Sequence, residues 1–136
     1  MMASAGAFWT KWSPFLLSLL RIIAAFLFMQ HGGQKLFGFP GAGGHANVQL
    51  FSLMGLAGVL ELFGGGLLLL GLFTRPIAFI LSGEMAFAYF MVHYKMNHIW
   101  PILNHGNEAV LFCFLFLYLS AAGGGPVSLD RTIRHA

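Results

Sequence analysis

Four long apolar stretches dominate this 136-residue chain and leave it few folds to adopt. They cover about residues 14–37, 50–73, 76–94 and 103–122, and each approaches or exceeds the ~20 residues that a helix needs to cross a ~30 Å hydrocarbon layer. With 58% hydrophobic and 8% charged residues, the composition lies outside the range of soluble domains. The sequence therefore predicts an all-α fold, in which residues 1–136 form a single transmembrane domain, an integral membrane four-helix bundle with short loops.

Local signals predict where the spans begin and end. Ser13 and Pro14 form a helix-start signal ahead of the first span, and the Gly- and Pro-rich segment 38–47 is typical of a loop after it. The segment 71–76 predicts a tight turn between the second and third spans. The first apolar stretch carries Arg21 and lacks a small-x-small cleavage pattern, so we expect a retained span and not a signal peptide.

Lysine and arginine residues beside the spans predict the orientation, because cytoplasmic segments retain positive charge. Four of them lie in the N-terminal tail, in the turn between spans two and three, and in the C-terminal tail: Lys11, Arg75, Arg131 and Arg134. The other two loops hold Lys35 and Lys95. We therefore expect a multi-pass protein with both termini in the cytoplasm.

Three ionisable residues fall inside the predicted spans: Arg21, Glu61 and Glu84. Each would cost at least ~2.5 to 3.5 kcal/mol at the bilayer centre if it faced lipid, so we expect all three to face the bundle interior or water. At ~1.5 Å per residue, Arg21 and Glu84 lie roughly 10 to 12 Å from the cytoplasmic edge, and Glu61 lies near the midplane. The sequence thus predicts an ion pair between Arg21 and a carboxylate.

The surplus of acid over base gives this set two interpretations. One arginine cannot fully pair two glutamates, so at least one carboxylate is left for protons, water or a ligand. Such a group suits a proton-handling or ligand-anchoring site. The charges also suit a structural role, an ion pair that fixes helix register, and the two interpretations can coexist. Glycines at helical spacing, Gly55, Gly58 and Gly65, indicate that Glu61 lies on a packed face.

A second polar set gathers near the opposite membrane face. It comprises Gln30, His31, Gln34 and Lys35 at the end of span one, His93 at the end of span three, and Asn104, His105, Asn107 and Glu108 at the start of span four. His31 and Lys35 share one helical face, and together with Glu108 they could line a shallow polar pocket. His31 with His93 or His105 would suffice to hold a b-type haem, but their spacing forms no motif, so we expect neither haem nor a metal site.

Several functional classes have no basis in this sequence. The seven Lys and Arg residues are spread singly, so no nucleic-acid-binding patch is expected. Cys113 is the single cysteine, which excludes an internal disulfide and a Cys-x-x-Cys relay. The chain also has no Gly-x-Gly-x-x-Gly nucleotide loop and no iron–sulfur cysteine set, so whether it is an enzyme stays open, and it is at most the membrane subunit of an oxidoreductase.

Three segments give the chain a family resemblance over nearly its whole length, from Arg21 to Asp130. They are RIIAAFLFMQHGGQKLFGFPG, LAGVLELFGGGLLLLGLFTRP, and NEAVLFCFLFLYLSAAGGGP followed by VSLDR. The matching residues are Arg21, His31, Gly32, Gln34, Lys35, Phe37, Glu61, Gly64, Gly65, Gly71, Thr74, Arg75, Glu108, Gly125, Pro126, Ser128, Leu129 and Asp130. In these residues the chain resembles the DoxX family of small four-helix bacterial membrane proteins.

The resemblance implies a bundle in the bacterial cytoplasmic (inner) membrane, near the membrane subunit of thiosulfate:quinone oxidoreductase, after which the family is named. From it we expect a redox-associated subunit in which Arg21 and the intramembrane acids bind or protonate a quinone headgroup while a partner supplies the electrons. The lack of a paired thiol argues against disulfide exchange, and Val127 replaces an aromatic residue that often precedes Ser-Leu-Asp in the family.

Two alternatives stay open at this point. The first is a non-catalytic membrane scaffold or assembly factor, whose charges serve only helix specificity. The second is a small transporter or proton pathway, in which Glu61 and Glu84 relay charge. In each case the expected partners are the lipid bilayer and either another protein or further copies of the chain.

Overall fold

The computed structural model describes residues 2–41, 49–95 and 98–135, and most of them are helical. The helices are α1 (Met2–Phe37), α2 (Leu53–Leu70), α3 (Thr74–His93), α4 (Pro101–Asn104), α5 (Asn107–Ala122) and α6 (Leu129–His135). Apart from an isolated bridge between Lys95 and His98, these ranges contain no β structure. The all-α prediction is confirmed.

Three helices, α1, α2 and α3, are long and apolar enough to cross a membrane. Helix α5 is also apolar but has 16 residues, which at ~1.5 Å per residue gives about 24 Å against a ~30 Å layer. Large apolar side chains such as Ile23, Phe79 and Leu111 lie on the outer faces of the helices, as expected where lipid is the solvent. The structure thus contains three full-length apolar helices and a shorter fourth one.

The first helix begins much earlier than its sequence signal indicates. Helix α1 starts at Met2, so Ser13 and Pro14 lie inside it, and the predicted start is wrong. Proline removes one backbone donor from a helix interior, and the 36-residue helix continues through that loss. Helix α2 instead has a side-chain cap, because Ser52 Oγ accepts a hydrogen bond from the Gly55 amide (3.1 Å).

The predicted start of the fourth span is also wrong. Residues 101–104 form the separate turn α4, and His105 then adopts a left-handed conformation with φ of 61°, so α5 begins only at Asn107. The loop predicted at 38–47 can be followed as far as Gly41, because residues 42–48 lie outside the described ranges.

The four long helices pack as two pairs: α1 runs along α2, and α3 runs along α5. A compact apolar core joins the pairs, with Phe28 of α1, Leu68 of α2, Leu81 of α3 and Phe116 of α5 all buried. The rings of Phe28 and Phe116 meet edge-on with their centroids 4.9 Å apart. The charged groups of the bundle lie toward either end of this core, and Ser82 within it donates to the Cys113 carbonyl (2.7 Å).

Within the first pair, α1 and α2 approach most closely at Gly32. A Cβ atom at this position would lie 2.5 Å from the Leu62 amide nitrogen and 2.8 Å from the Gly58 carbonyl oxygen, so no larger residue fits without a shift. Lys35 follows one turn later on α1, and the close approach therefore brings its side chain against Glu61 of α2.

Two helices contain a wider, π-helical turn. One covers Leu60–Gly64 in α2 and the other covers Tyr89–His93 in α3. A π-helical turn closes i→i+5 hydrogen bonds and occurs often at functional sites. The first carries Glu61 and the second carries His93, and both residues line the cavity described next.

Candidate functional site

The centre of the candidate site is an ion pair between α1 and α2. Lys35 Nζ lies 3.0 Å from Oε1 and 2.8 Å from Oε2 of Glu61. The Lys35 side chain is 10% exposed and that of Glu61 is 4% exposed. Because two charges have left water, each depends on the other for stabilisation. Glu61 thus faces the interior, and its partner is Lys35.

Glu84 of α3 lies beside this pair, near enough to interact electrostatically with both Glu61 and Lys35. Both of its carboxyl oxygens are shielded from solvent, and neither has an aligned hydrogen-bond partner among the described residues. One lysine therefore faces two carboxyl groups. Since buried polar atoms are normally paired, Glu84 retains capacity to bind a proton or a ligand.

A cavity of about 900 Å³ opens beside these groups, between the two helix pairs. This volume is near the upper end of the roughly 300 to 1,000 Å³ that is usual for small-molecule sites. Most of its wall is apolar, and the polar residues that line it are His31, Gln34, Lys35, Ser52, Glu61, Glu84, His93, His105 and Glu108. An apolar cavity with a few converging polar groups suits an amphipathic ligand.

His31 and Glu108 join α1 to α5 at the edge of this cavity. His31 Nε2 lies 3.2 Å from Glu108 Oε2, and the His31 ring meets Phe112 edge-on. Both side chains are far more exposed than those of Lys35 and Glu61, so this contact adds little stability. Five of the six predicted site residues therefore line one cavity: His31, Lys35, Glu61, Glu84 and Glu108.

His93 lines the cavity near α4. Its Nδ1 lies 3.2 Å from the Asn104 carbonyl oxygen, and Asn104 Nδ2 donates to the His98 carbonyl (2.9 Å) and to the Tyr89 hydroxyl (3.2 Å). The sequence did not indicate Tyr89, because nothing in its local pattern distinguishes it from other aromatic residues near the end of a span.

In the described part of the chain, no three His, Cys, Asp or Glu side chains are grouped to hold a metal.

Arg21 lies at the opposite end of the bundle and binds backbone carbonyls. Its Nη1 donates to Gly124, and its Nη2 donates to Val127 (2.8 Å) and more weakly to Leu69 (3.4 Å). The side chain is 1% exposed, and its Nε has no acceptor among the described residues.

The predicted ion pair between Arg21 and an intramembrane glutamate is therefore wrong, and the reason is depth. Arg21 and Lys35 are 14 residues apart on one helix, which separates them by about 21 Å along its axis. Lys35 contacts Glu61 directly, so both Glu61 and its neighbour Glu84 lie at the Lys35 level, out of reach of Arg21.

We call the Arg21 end of the bundle the clamp, which consists of Ser18, Arg21, Gly124, Val127 and Asp130. Ser18 Oγ donates to the Gly124 carbonyl (2.9 Å) and accepts from the Val127 amide (3.0 Å). Gly71 has a φ of 69° and leaves room for Arg21, and its carbonyl accepts from the Asp130 amide (2.9 Å). These bonds fasten the segment after α5 to the middle of α1 and to the C-terminal end of α2.

Asp130 caps the start of α3 from outside the spanning segments. Its Oδ1 accepts from the Phe73 amide (2.7 Å) and its Oδ2 from the Thr74 amide (2.9 Å). Partial burial acts to raise the pKa of Asp130, but the hydrogen bonds from Thr74 and Phe73 and the charge of Arg134 outweigh it and hold the pKa below its ordinary value. The sequence indicated Asp130 only through the family resemblance.

Comparison with known proteins agrees with this architecture. The DoxX family model matches residues 16–94, more than half of the chain. An uncharacterised protein of Haemophilus influenzae is 47% identical over 125 residues, which cover 89% of this chain and 92% of that relative. The inner membrane protein YphA of Escherichia coli is 29% identical over 131 residues, 87% of this chain and 90% of YphA. No solved structure matches. The chain therefore belongs to the DoxX family.

Proposed function

We propose that this protein is a quinone-linked membrane subunit that binds a quinone headgroup in the cavity beside Lys35, Glu61 and Glu84. The observation that carries the proposal is Glu84, which lines a largely apolar cavity of about 900 Å³ beside Glu61 and Lys35 and whose buried carboxyl oxygens have no partner in hydrogen-bond geometry among the described residues. A quinone ring has apolar faces and two carbonyl oxygens that accept hydrogen bonds. The Lys35 ammonium and a protonated Glu84 are donors of the required kind.

The chemistry of quinone reduction fits such donors. Each quinone takes up two electrons and two protons, and its two C=O groups become C–OH groups. A titratable side chain within hydrogen-bond reach of a carbonyl oxygen supplies the proton, a role that Glu84 and His31 can take from the cavity wall. The electrons come from a partner protein that carries an electron donor. Lys35 and Glu61 hold a fixed pair of charges against which the headgroup is oriented.

We further propose that the protein lies in the bacterial inner membrane with both termini in the cytoplasm. YphA is described as an inner membrane protein. Lys35 is held in the buried ion pair, so it no longer counts as a loop charge, and the loops at the cavity end retain Lys95. The basic residues on the terminal side are Lys11, Arg75, Arg131 and Arg134. This distribution favours a cytoplasmic clamp and a cavity near the outer face.

Thermal protection of the purified protein by short-tailed benzoquinone and naphthoquinone analogues tests the proposed site. We expect at least one analogue to raise the Tm of the wild type, and Glu84→Gln to lose most of that rise. Glu84→Gln keeps the size of the side chain, and its amide can still donate to the neighbouring Glu61 carboxylate, so the variant should itself unfold within a few degrees of the wild type. Loss of protection in this variant then reports binding and not unfolding.

Asp130→Asn is the matched control, since it removes a carboxylate at the clamp and not at the cavity. It should retain the ligand-induced rise in Tm even where its own Tm is lower. If no analogue protects the wild type, or if Glu84→Gln is protected as well as the wild type, the proposed quinone site is wrong.

A non-catalytic scaffold is the second candidate function, and the clamp is the observation that favours it. There the charged groups are engaged in holding helices together. A scaffold would tolerate loss of the cavity acids. In cells, an intact phenotype with correctly inserted Glu61→Gln and Glu84→Gln variants would therefore favour the scaffold over the quinone-linked subunit.

A further inference from the structure

A second concave surface adjoins the cavity and lies between α1 and α5. It is a groove of about 500 Å³. Leu20, Ile23 and Leu27 line it from α1, and Leu111 and Leu115 line it from α5. Four of these side chains are more than two-fifths exposed, so the groove opens toward the surrounding lipid.

The groove changes from polar to apolar along its length. At one end lie His31, Gln34 and Glu108, and toward the other end the lining is apolar as far as Leu20. The 14 residues from Leu20 to Gln34 correspond to about 21 Å of helix, roughly two thirds of a ~30 Å hydrocarbon layer. The shape fits a linear apolar chain that is attached to a polar group.

The groove and the cavity adjoin and share part of their walls. Both are lined by His31, Gln34, Glu108 and Phe112. The single contact between His31 and Glu108 at 3.2 Å crosses the boundary between them, and its side chains are 39% and 72% exposed. Because both side chains are partly exposed, separation of this one contact gives a ligand with its polar group in the cavity a short route to the groove.

We infer that the groove between α1 and α5 holds the isoprenoid tail of the quinone whose headgroup occupies the cavity, an inference that rests on the proposed function. The tail lies along Leu27, Ile23 and Leu20 and leaves the protein sideways into the bilayer. Lipid chains are as apolar as these side chains, so the groove contributes packing and orientation of the tail, not transfer out of water. The protein accordingly discriminates quinones by tail as well as by ring.

Two other arrangements make different predictions. The cavity is also lined by Leu56 of α2 and Phe87 of α3, two exposed side chains that offer a second lateral route for a tail. A phospholipid acyl chain could also occupy the groove without reaching the cavity. The groove between α1 and α5 is favoured for the quinone tail because it begins at the polar residues that it shares with the cavity.

The test compares three variants with a ring-only quinone and with the same ring carrying two isoprene units, in lipid nanodiscs. Leu27→Trp fills the groove, Leu56→Trp fills the alternative route, and Phe26→Trp places the same side chain on the neighbouring lipid-facing surface of α1. We expect Leu27→Trp to weaken binding of the tailed quinone about tenfold, as measured by Kd. Its affinity for the ring-only quinone, and both affinities of Phe26→Trp, should stay within about twofold of the wild type. Leu56 lines the cavity itself, so Leu56→Trp is read by the ratio of its two affinities, which should stay within about twofold of the wild-type ratio.

Three outcomes would overturn the inference. The tailed and ring-only quinones could bind the wild type equally well; Leu56→Trp, and not Leu27→Trp, could select against the tail; or Leu27→Trp could lose only a co-purifying phospholipid. In each case a ring-only quinone that binds the wild type but not Glu84→Gln leaves the headgroup site standing. Failure of the ring-only quinone to bind the wild type would instead remove the proposed function itself.

Discussion

The two ends of the bundle both bury charge, but they satisfy it differently. At the clamp, Arg21 Nη1 and Nη2 donate to backbone carbonyls, and both oxygens of Asp130 accept from backbone amides. At the cavity, one lysine serves two carboxyl groups, and Glu84 is left without a hydrogen-bond partner among the described residues. A charge with backbone partners stabilises the fold, whereas a carboxyl group without such partners beside an open cavity is available to a ligand. Depth in the membrane alone does not separate the two roles.

The largest expected effect is at the clamp. Arg21→Ala removes the Arg21 donor to Val127 and leaves the Gly124 carbonyl with Ser18 as its side-chain donor, and a buried acceptor that loses its donor costs about 1 to 3 kcal/mol. Together with the void left by a fully buried side chain, we expect a loss of about 3 to 5 kcal/mol in the free energy of unfolding. Thermal unfolding in detergent measures it.

Arg21→Lys serves as the control for this experiment. It keeps the charge but loses the two-pronged geometry, so its Tm should lie between those of the wild type and Arg21→Ala. If Arg21→Ala unfolded near the wild-type temperature and instead abolished protection by a quinone, the assignment of a structural role to the clamp and a binding role to the cavity would be wrong.

A somewhat smaller effect is expected for the ion pair at the cavity. Glu61→Gln leaves Lys35 buried without its main counter-charge, and we expect a loss of about 3 kcal/mol, near the low end for a broken buried pair, because Glu84 remains close. The double variant Lys35→Met with Glu61→Gln removes both charges and should recover most of the lost Tm.

Protection by a quinone separates stability from function in this series. It should be weak in both variants, because the single variant removes the counter-charge that holds Lys35 in position and the double variant removes Lys35 as well. A double variant that regained protection together with stability would show that the pair serves only the fold, as the clamp does.

The smallest of the three effects concerns Asp130 and depends on pH. Its pKa in the folded protein lies below the ordinary value, so its stabilisation is fully present above an unfolded pKa of about 3.9 and is lost as the pH falls through the lower folded value. At neutral pH, Asp130→Asn should cost about 1 to 2 kcal/mol. Tm measured from pH 7 down to about pH 3 should show the gap to the wild type closing.

A gap between wild type and Asp130→Asn that stayed constant over this pH range would contradict a charged, amide-bound Asp130. Protection by a quinone should be the same in both proteins at neutral pH. Equal protection would show that Asp130 acts at the clamp and has no part in binding at the cavity.

The helical fold could be predicted because apolar runs of membrane-spanning length leave little choice, but the helix ends could not. The predicted depth of Arg21 in the membrane assumes that the first span starts at Pro14. In the structure α1 begins at Met2, and Ser18 is the first of its described side chains to be buried. Arg21 thus lies level with the end of α2 near Leu69. A proline that lies within a helix looks the same in sequence as one that starts it.

The residues that line the candidate site could be predicted from the sequence more readily than the ion pairs that they form. His31, Lys35, Glu61, Glu84 and Glu108 were all chosen for their chemistry, and they line one cavity. The partnership of Lys35 with Glu61 depends on the close approach at Gly32 and on the π-helical turn that carries Glu61. Neither follows from periodicity, because both result from how α1 and α2 meet.

The division of the bundle into two helix pairs has a mechanical consequence. Hydrogen bonds between the pairs are concentrated at the clamp. At the other end the described residues provide the partly exposed contact of His31 with Glu108 and the electrostatic contact of Glu84 with Lys35 and Glu61. We therefore expect any tilt of one pair against the other to pivot near Arg21 and to be largest about 20 Å away, at the cavity. The cavity can therefore change its width while the helix packing inside each pair stays intact.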